Sequence, residues 1–109
     1  MQIRDVPFTI TDWSAVPETS HPGTTGMATW RTLEAGGIRV RIVEYGPGYL
    51  ADHWCKKGHV VHVLSGELVT ELEDGRTVTL TEGMSYRVGD DVLAHRSRTD
   101  RGAKLFIVD

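Results

Sequence analysis

Only one cysteine, Cys55, stands among 109 residues. One thiol cannot close an internal disulfide, so the sequence points to a reducing compartment. Long apolar runs are missing too. No stretch approaches transmembrane length, and the opening MQIRDVPFTI has no apolar core of signal-peptide length. A soluble cytoplasmic protein is the expectation. Basic residues are not in excess: 12 Lys and Arg against 15 Asp and Glu leave a net charge of −3. That balance carries no footprint for nucleic acid or for an anionic membrane surface. A sustained helical period is absent from every window, and TDWSAVPE (11–18) holds one turn at most. There is no Gly-rich phosphate loop and no G-x-S-x-G nucleophile motif.

What is present is a run of short β-branched segments punctuated by 12 glycines. IRVRIVEY (38–45), VVHVL (60–64), ELVTEL (67–72), RTVTL (76–80), MSYRV (84–88), LAHRSRT (93–99) and AKLFIVD (103–109) read as strands. Asp74-Gly75 predicts a type I′ hairpin, and Ser65-Gly66 predicts a second tight turn. Strands recurring every eight to ten residues indicate an antiparallel sandwich or barrel. One domain is expected over 1–109: an irregular N-terminal arm over 1–30 and a barrel over 31–109. A chain of this size buries about two-thirds of its extended surface, enough for a core without disulfides.

The segment PGYLADHWCKKGHVVHVLSGE concentrates the chemistry. It holds His53, Cys55, His59 and His62 within ten positions. Strand side chains alternate faces, so His53 and Cys55 share one face. Gly58 can turn the chain back after Lys56 and Lys57. If Val61 and Val63 face the core, His59 does as well, and His62 points away. His53, Cys55 and His59 then converge on an interior point. A single strand histidine is ordinarily a hydrogen-bonded, half-buried residue, and a single cysteine a small hydrophobe. Three such groups side by side cost desolvation unless something pairs them, and imidazole and thiolate are preferred ligands of first-row transition metals.

The spacing resembles the first motif of the cupins, small β-barrels with a metal in the mouth. That motif runs Gly, five residues, His, one residue, His, three or four residues, Glu, six residues, Gly. Pro47, flanked by Gly46 and Gly48, stands at the first Gly. His53 fits the first His, Cys55 the second His, His59 the Glu and Gly66 the closing Gly. GMSYRVGDDVLAHRSRT resembles the second motif, with Gly83 opening it, Gly89 at the usual Pro and His95 as its ligand. The gap to His95 is one residue longer than usual, and Thr99 replaces a common Asn. The Asp-His-Trp-Cys run resembles the subgroup known for a DHCW motif.

The resemblance implies an all-β fold, the cupin-type double-stranded β-helix or jelly-roll barrel. It also implies one divalent transition metal held by His53, Cys55, His59 and His95. Three neutral histidines and one thiolate carry the same charge as the usual three histidines and one glutamate, but the site is softer. Softness favours zinc, iron, nickel or copper over manganese and magnesium. The expected function is a metalloenzyme, a dioxygenase, isomerase or lyase, acting on a small polar metabolite. A non-catalytic module that senses a small ligand or metal is the alternative. Arg39, Arg41 and Glu44 read as surface ion pairs, and Tyr86 as barrel lining near His95. Phe8, Trp13 and Trp30 are more aromatic than a free tail requires, which suggests a homodimer built through the arm.

Overall fold

The computed structural model describes residues 2–109. Its eight strands are β1 (Glu18–Pro22), β2 (Met27–Ala35), β3 (Ile38–Tyr45), β4 (His59–Leu72), β5 (Thr77–Thr81), β6 (Ser85–Val88), β7 (His95–Arg98) and β8 (Ala103–Val108). One 3₁₀ turn, Trp13–Ala15, precedes them, capped by the Asp12 carboxylate accepting from the Ser14 N–H at 3.0 Å.

All strand pairings are antiparallel. The strand β4 belongs to two sheets. Its first half lies between β8 and β6, continuing the order β1-β2-β3-β8-β4. Its second half lies between β5 and β7. The turn expected at Ser65-Gly66 is instead a bulge within this one strand, where the register against β8 shifts between Val63 and Ser65. Gly66 has φ +79°, and a Cβ there would meet the Gly102 carbonyl at 2.3 Å. Only glycine permits both the left-handed backbone and the close approach. The bulge also switches parity. Before it, Val61 and Val63 face inward; after it, Leu68 and Thr70 do.

The hairpin at Asp74-Gly75 forms, but with a different turn. Leu72 N–H donates to the Arg76 carbonyl and Gly75 N–H to the Leu72 carbonyl, leaving a three-residue loop. Gly75 has φ +93° while Asp74 is not left-handed, so this is the bulged three-residue turn and not type I′.

The N-terminal third departs most from the sequence reading. The strand β2 pairs with β3 along its length, Ala28 against Tyr45 through Ala35 against Ile38, so the boundary expected at residue 30 falls inside a sheet strand. Trp30 packs against the core rather than in an arm. Trp13 lies on the outer face of the sheet beside Ile42 and Leu64. The segment before it is anchored by Arg4 N–H donating to the Gly36 carbonyl, yet leaves Ile3, Phe8 and Ile10 exposed.

The barrel interior is built from Val43, Tyr45, Val61, Val63, Leu68, Leu105 and Ile107, all buried. Tyr45 and Tyr49 stack at 4.2 Å between ring centres. Most of these residues also line a cavity of about 380 Å³ whose walls carry the residues of interest.

Candidate metal centre

Three residues from three parts of the chain meet in this cavity. One ligand atom each from Cys55, His59 and His95 lies within 4.8 Å of the others. The strand β4 begins at His59 and turns it inward with Val61 and Val63, as parity predicts. His62 points the other way and pairs its Nδ1 with the Ser85 hydroxyl at 2.6 Å. His95 opens β7 and is 3 % exposed. Cys55 is carried by an isolated bridge: its N–H donates to the His95 carbonyl at 2.8 Å, and the His95 N–H donates back at 3.0 Å. Gly58 contributes differently from the expected turn. It is not left-handed, but a Cβ there would strike the Asp90 backbone at 2.7 Å, and its N–H donates to the Asp90 carboxylate.

His53 stands apart from this trio. It lines the same cavity, but its side chain is 74 % exposed and its Nδ1 lies 2.7 Å from Asp52 Oδ1. The expected four-residue convergence therefore reduces to three residues in this geometry.

The imidazoles are arranged as ligands need. His95 Nδ1 sits 2.9 Å from the Leu93 carbonyl, to which it donates, leaving Nε2 as a lone-pair donor. That Nε2 faces His59 Nε2 at 2.8 Å. His59 Nε2 also lies 3.1 Å from the Tyr86 hydroxyl. On its far side, His59 Nδ1 is buried without a hydrogen-bond partner, with Asp109 Oδ2 at 3.7 Å. Burial, then the neighbouring His95, pushes the His59 pKa down to about 4, against the pull of Asp109. His59 is therefore neutral at physiological pH, the state a metal ligand requires. Tyr86 keeps its proton, since burial raises its pKa.

This donor set fits a divalent transition metal. A thiolate and two neutral imidazoles are its preferred ligands, and three protein ligands leave a further position for a small molecule. The orphaned His59 Nδ1 beside a carboxylate matches the outer-shell pattern that orients a metal-bound histidine.

Sequence reading missed the rest of the wall. Arg41, expected as a surface ion-pair residue, is 6 % exposed and faces the cavity, with its guanidinium 4.4 Å above the Trp30 ring. Arg41 Nη2 donates to Asp109 at 3.1 Å, and Arg39 grips the same carboxylate through Nε and Nη2 at 2.9 and 3.0 Å. Burial alone would raise the Asp109 pKa, but the hydrogen bond from Arg39 and the charges of Arg41 and Arg39 outweigh it and hold it low. The signal for this cluster was the shared parity of Arg39 and Arg41 with Val43 and Tyr45. Of the polar residues sharing parity with His95, Ser97 lines the cavity. Thr99 instead braces the bend of β4, donating to the Glu67 carbonyl at 2.7 Å.

No family model and no curated protein matches the sequence. Solved structures do. An ectoine synthase from P. lautus superposes with a TM-score of 0.72 at 22% identity, covering 93% of this chain and 76% of that one. A cupin-superfamily sugar phosphate isomerase from Silicibacter pomeroyi gives 0.69 at 19% identity, covering 92% and 74%. The Fe(II) form of HppE gives 0.75 at 15% identity, covering all of this chain and 63% of that one. At these identities the likeness speaks for the fold. With eight antiparallel strands closing over an inward-facing Cys/His/His cluster, the chain has the cupin fold.

Proposed function

We propose that this protein binds one divalent transition metal through Cys55, His59 and His95 and uses it as a metalloenzyme on a small polar metabolite. The observation that carries this reading is the convergence of the three ligand atoms inside the cavity. The chemistry such an ion supplies is polarisation of an oxygen or activation of O₂. The reaction class follows only by analogy with similar structures, which include a sugar phosphate isomerase and an Fe(II) protein. A dioxygenase, isomerase or lyase is the class proposed, with zinc, iron, nickel or copper as the metal. The chain's own groups hold His59 neutral, orient His95 through Leu93, and present the protonated Tyr86 hydroxyl to the cavity.

His53 completes the proposed ligand set. It lines the same cavity, and to ligate, its exposed imidazole must turn inward. A homodimer formed through residues 1–30, and a cytoplasmic location, belong to the same reading. The exposure of Phe8 and Ile10 supports the first. Among the described residues, no helix is long and apolar enough to cross a membrane.

A second reading, a non-catalytic module that senses a small ligand or metal, is favoured by the shortage of a free acid at the ligand cluster. Among the described residues, Asp109 alone lines the cavity as an acid, and two arginines hold it ionised. Metal analysis of untagged protein tests the first step for both readings. About one equivalent of metal is expected, lost in Cys55→Ser. Metal-free protein that takes up none of the four metals would overturn it.

A further inference from the structure

We propose that the cavity receives a small organic monocarboxylate whose carboxylate docks on Arg41, a substrate class that deepens the metalloenzyme reading and rests on it only for the placement of the ligand's other end. The chain is acidic overall, at −3. Its cavity is the reverse: Arg39, Arg41, Arg96, Lys56 and Lys57 line it against Asp109 alone. Arg96 is committed to Glu71 at 2.9 Å, and Asp109 is shared by Arg39 and Arg41. Arg39 and Arg41 thus share one side-chain carboxylate, and Lys56 and Lys57 line the same cavity.

Arg41 is the group with unused capacity. It is 6 % exposed, it gives one hydrogen bond to Asp109 through Nη2, and its Nε is buried without a partner. A buried guanidinium is not left short of acceptors without cost. Trp30 packs against it, with the guanidinium carbon 4.4 Å from the ring centre. A planar fork matches a carboxylate, which accepts two parallel N–H bonds. The same Asp109 oxygen that accepts from Arg41 lies 3.7 Å from His59 Nδ1, so the anion subsite and the ligand cluster are neighbours. A carboxylate on Arg41 leaves the rest of a small molecule beside Cys55, His59 and His95. The volume, about 380 Å³, is at the small end of ligand sites. A phosphate dianion fits less well, since the planar fork of Arg41 matches a planar carboxylate and the wall offers no Gly-rich nest of backbone N–H groups.

The test is calorimetric titration with 2-oxobutyrate, its uncharged amide and inorganic phosphate, on chelator-treated protein and on Co(II)-loaded protein. The acid is expected to bind at least tenfold tighter than the amide and tighter than phosphate. Arg41→Gln should abolish that preference. Should Arg41→Gln fail to fold, Arg41→Lys, which keeps a cation beside Asp109 but loses the planar fork, serves in its place and should weaken the preference. Equal binding of acid and amide, no binding of the acid, stronger binding of phosphate, or an undiminished preference in the variant that folds would each overturn the proposal. Failure of zinc, iron, nickel and copper to bind while the acid preference persists would remove the metal reading and leave this one standing. Co(II) uptake without any preference would do the opposite.

Discussion

Cys55 and His95 exchange both backbone hydrogen bonds, at 2.8 and 3.0 Å, although Cys55 belongs to no regular strand. The bridge holds a thiol beside an imidazole using main-chain atoms alone. A side-chain substitution at either position should therefore alter chemistry more than path, which makes these residues clean probes of the site.

Cys55→Ala should abolish metal-linked stabilisation, and His62→Ala should leave it intact, because His62 faces away from the cavity. Binding only to the folded state contributes about 2.7 kcal/mol at a hundredfold excess of free metal over Kd. For a domain of this size that is a melting shift on the order of 10 °C. Thermal melts with and without chelator, on samples whose metal content is known, make the comparison. Equal behaviour of the two variants would reduce Cys55 to a packing residue.

His53→Ala separates a four-ligand from a three-ligand site. With His53 as the fourth donor, metal affinity should fall about tenfold or more in competition with a chromogenic chelator. An unchanged affinity would confine the site to Cys55, His59 and His95.

Metal-free protein should lose stability on mild acidification. His59 has a folded pKa of about 4 against an ordinary value of 6.5. Between those values the unfolded chain binds a proton that the folded chain refuses, so stability rises with pH across the window and falls as pH drops from 6.5 towards 4. Across the whole window the loss is on the order of 3 kcal/mol. Urea titrations of wild type and His59→Gln at pH 7 and pH 5 should show a smaller loss in the variant. Equal losses would mean that another group carries the dependence.

Gly66→Ala should destabilise the barrel by at least about 2 kcal/mol, because it combines a left-handed backbone with a Cβ 2.3 Å from the Gly102 carbonyl. A neutral substitution would mean that the bend of β4 relaxes without cost.

Removing residues 1–16 should shift the protein from dimer to monomer in sedimentation equilibrium. A monomeric intact chain would remove the arm from any role in assembly.

Much of the barrel was readable from pattern. The strands from residue 38 onward fall where β-branched runs predict, except that 60–64 and 67–72 join into the single strand β4, and the in-out assignment of His59 and His62 follows from Val61 and Val63. Two failures have physical causes. In IRVRIVEY, the early alternation suggests that Ile38, Val40 and Ile42 face the core, yet the buried residues are Arg41, Val43 and Tyr45. A strand that turns two arginines inward onto the Asp109 carboxylate at the cavity wall breaks the rule that charge marks the outer face. The strand β2 was missed because the prolines and glycines that precede it, in HPGTTG, suggested an irregular arm, while its alternation is only half-buried and weak. His53 differs again. Parity places it on the face of Cys55, but parity holds only along a regular strand, and residues 51–54 are not one.

The double membership of β4 has a mechanical corollary. His59 sits at the start of a strand that pairs with β5, β6, β7 and β8, while Cys55 hangs from a single bridge outside it. The amide protons of Val61 and Val63 should then exchange only when the whole molecule opens, whereas those around Cys55 should exchange through local fraying. Entry and exit at the cavity would thus occur on the thiol side, by a hinge of a few residues, with the histidine wall standing still as the frame.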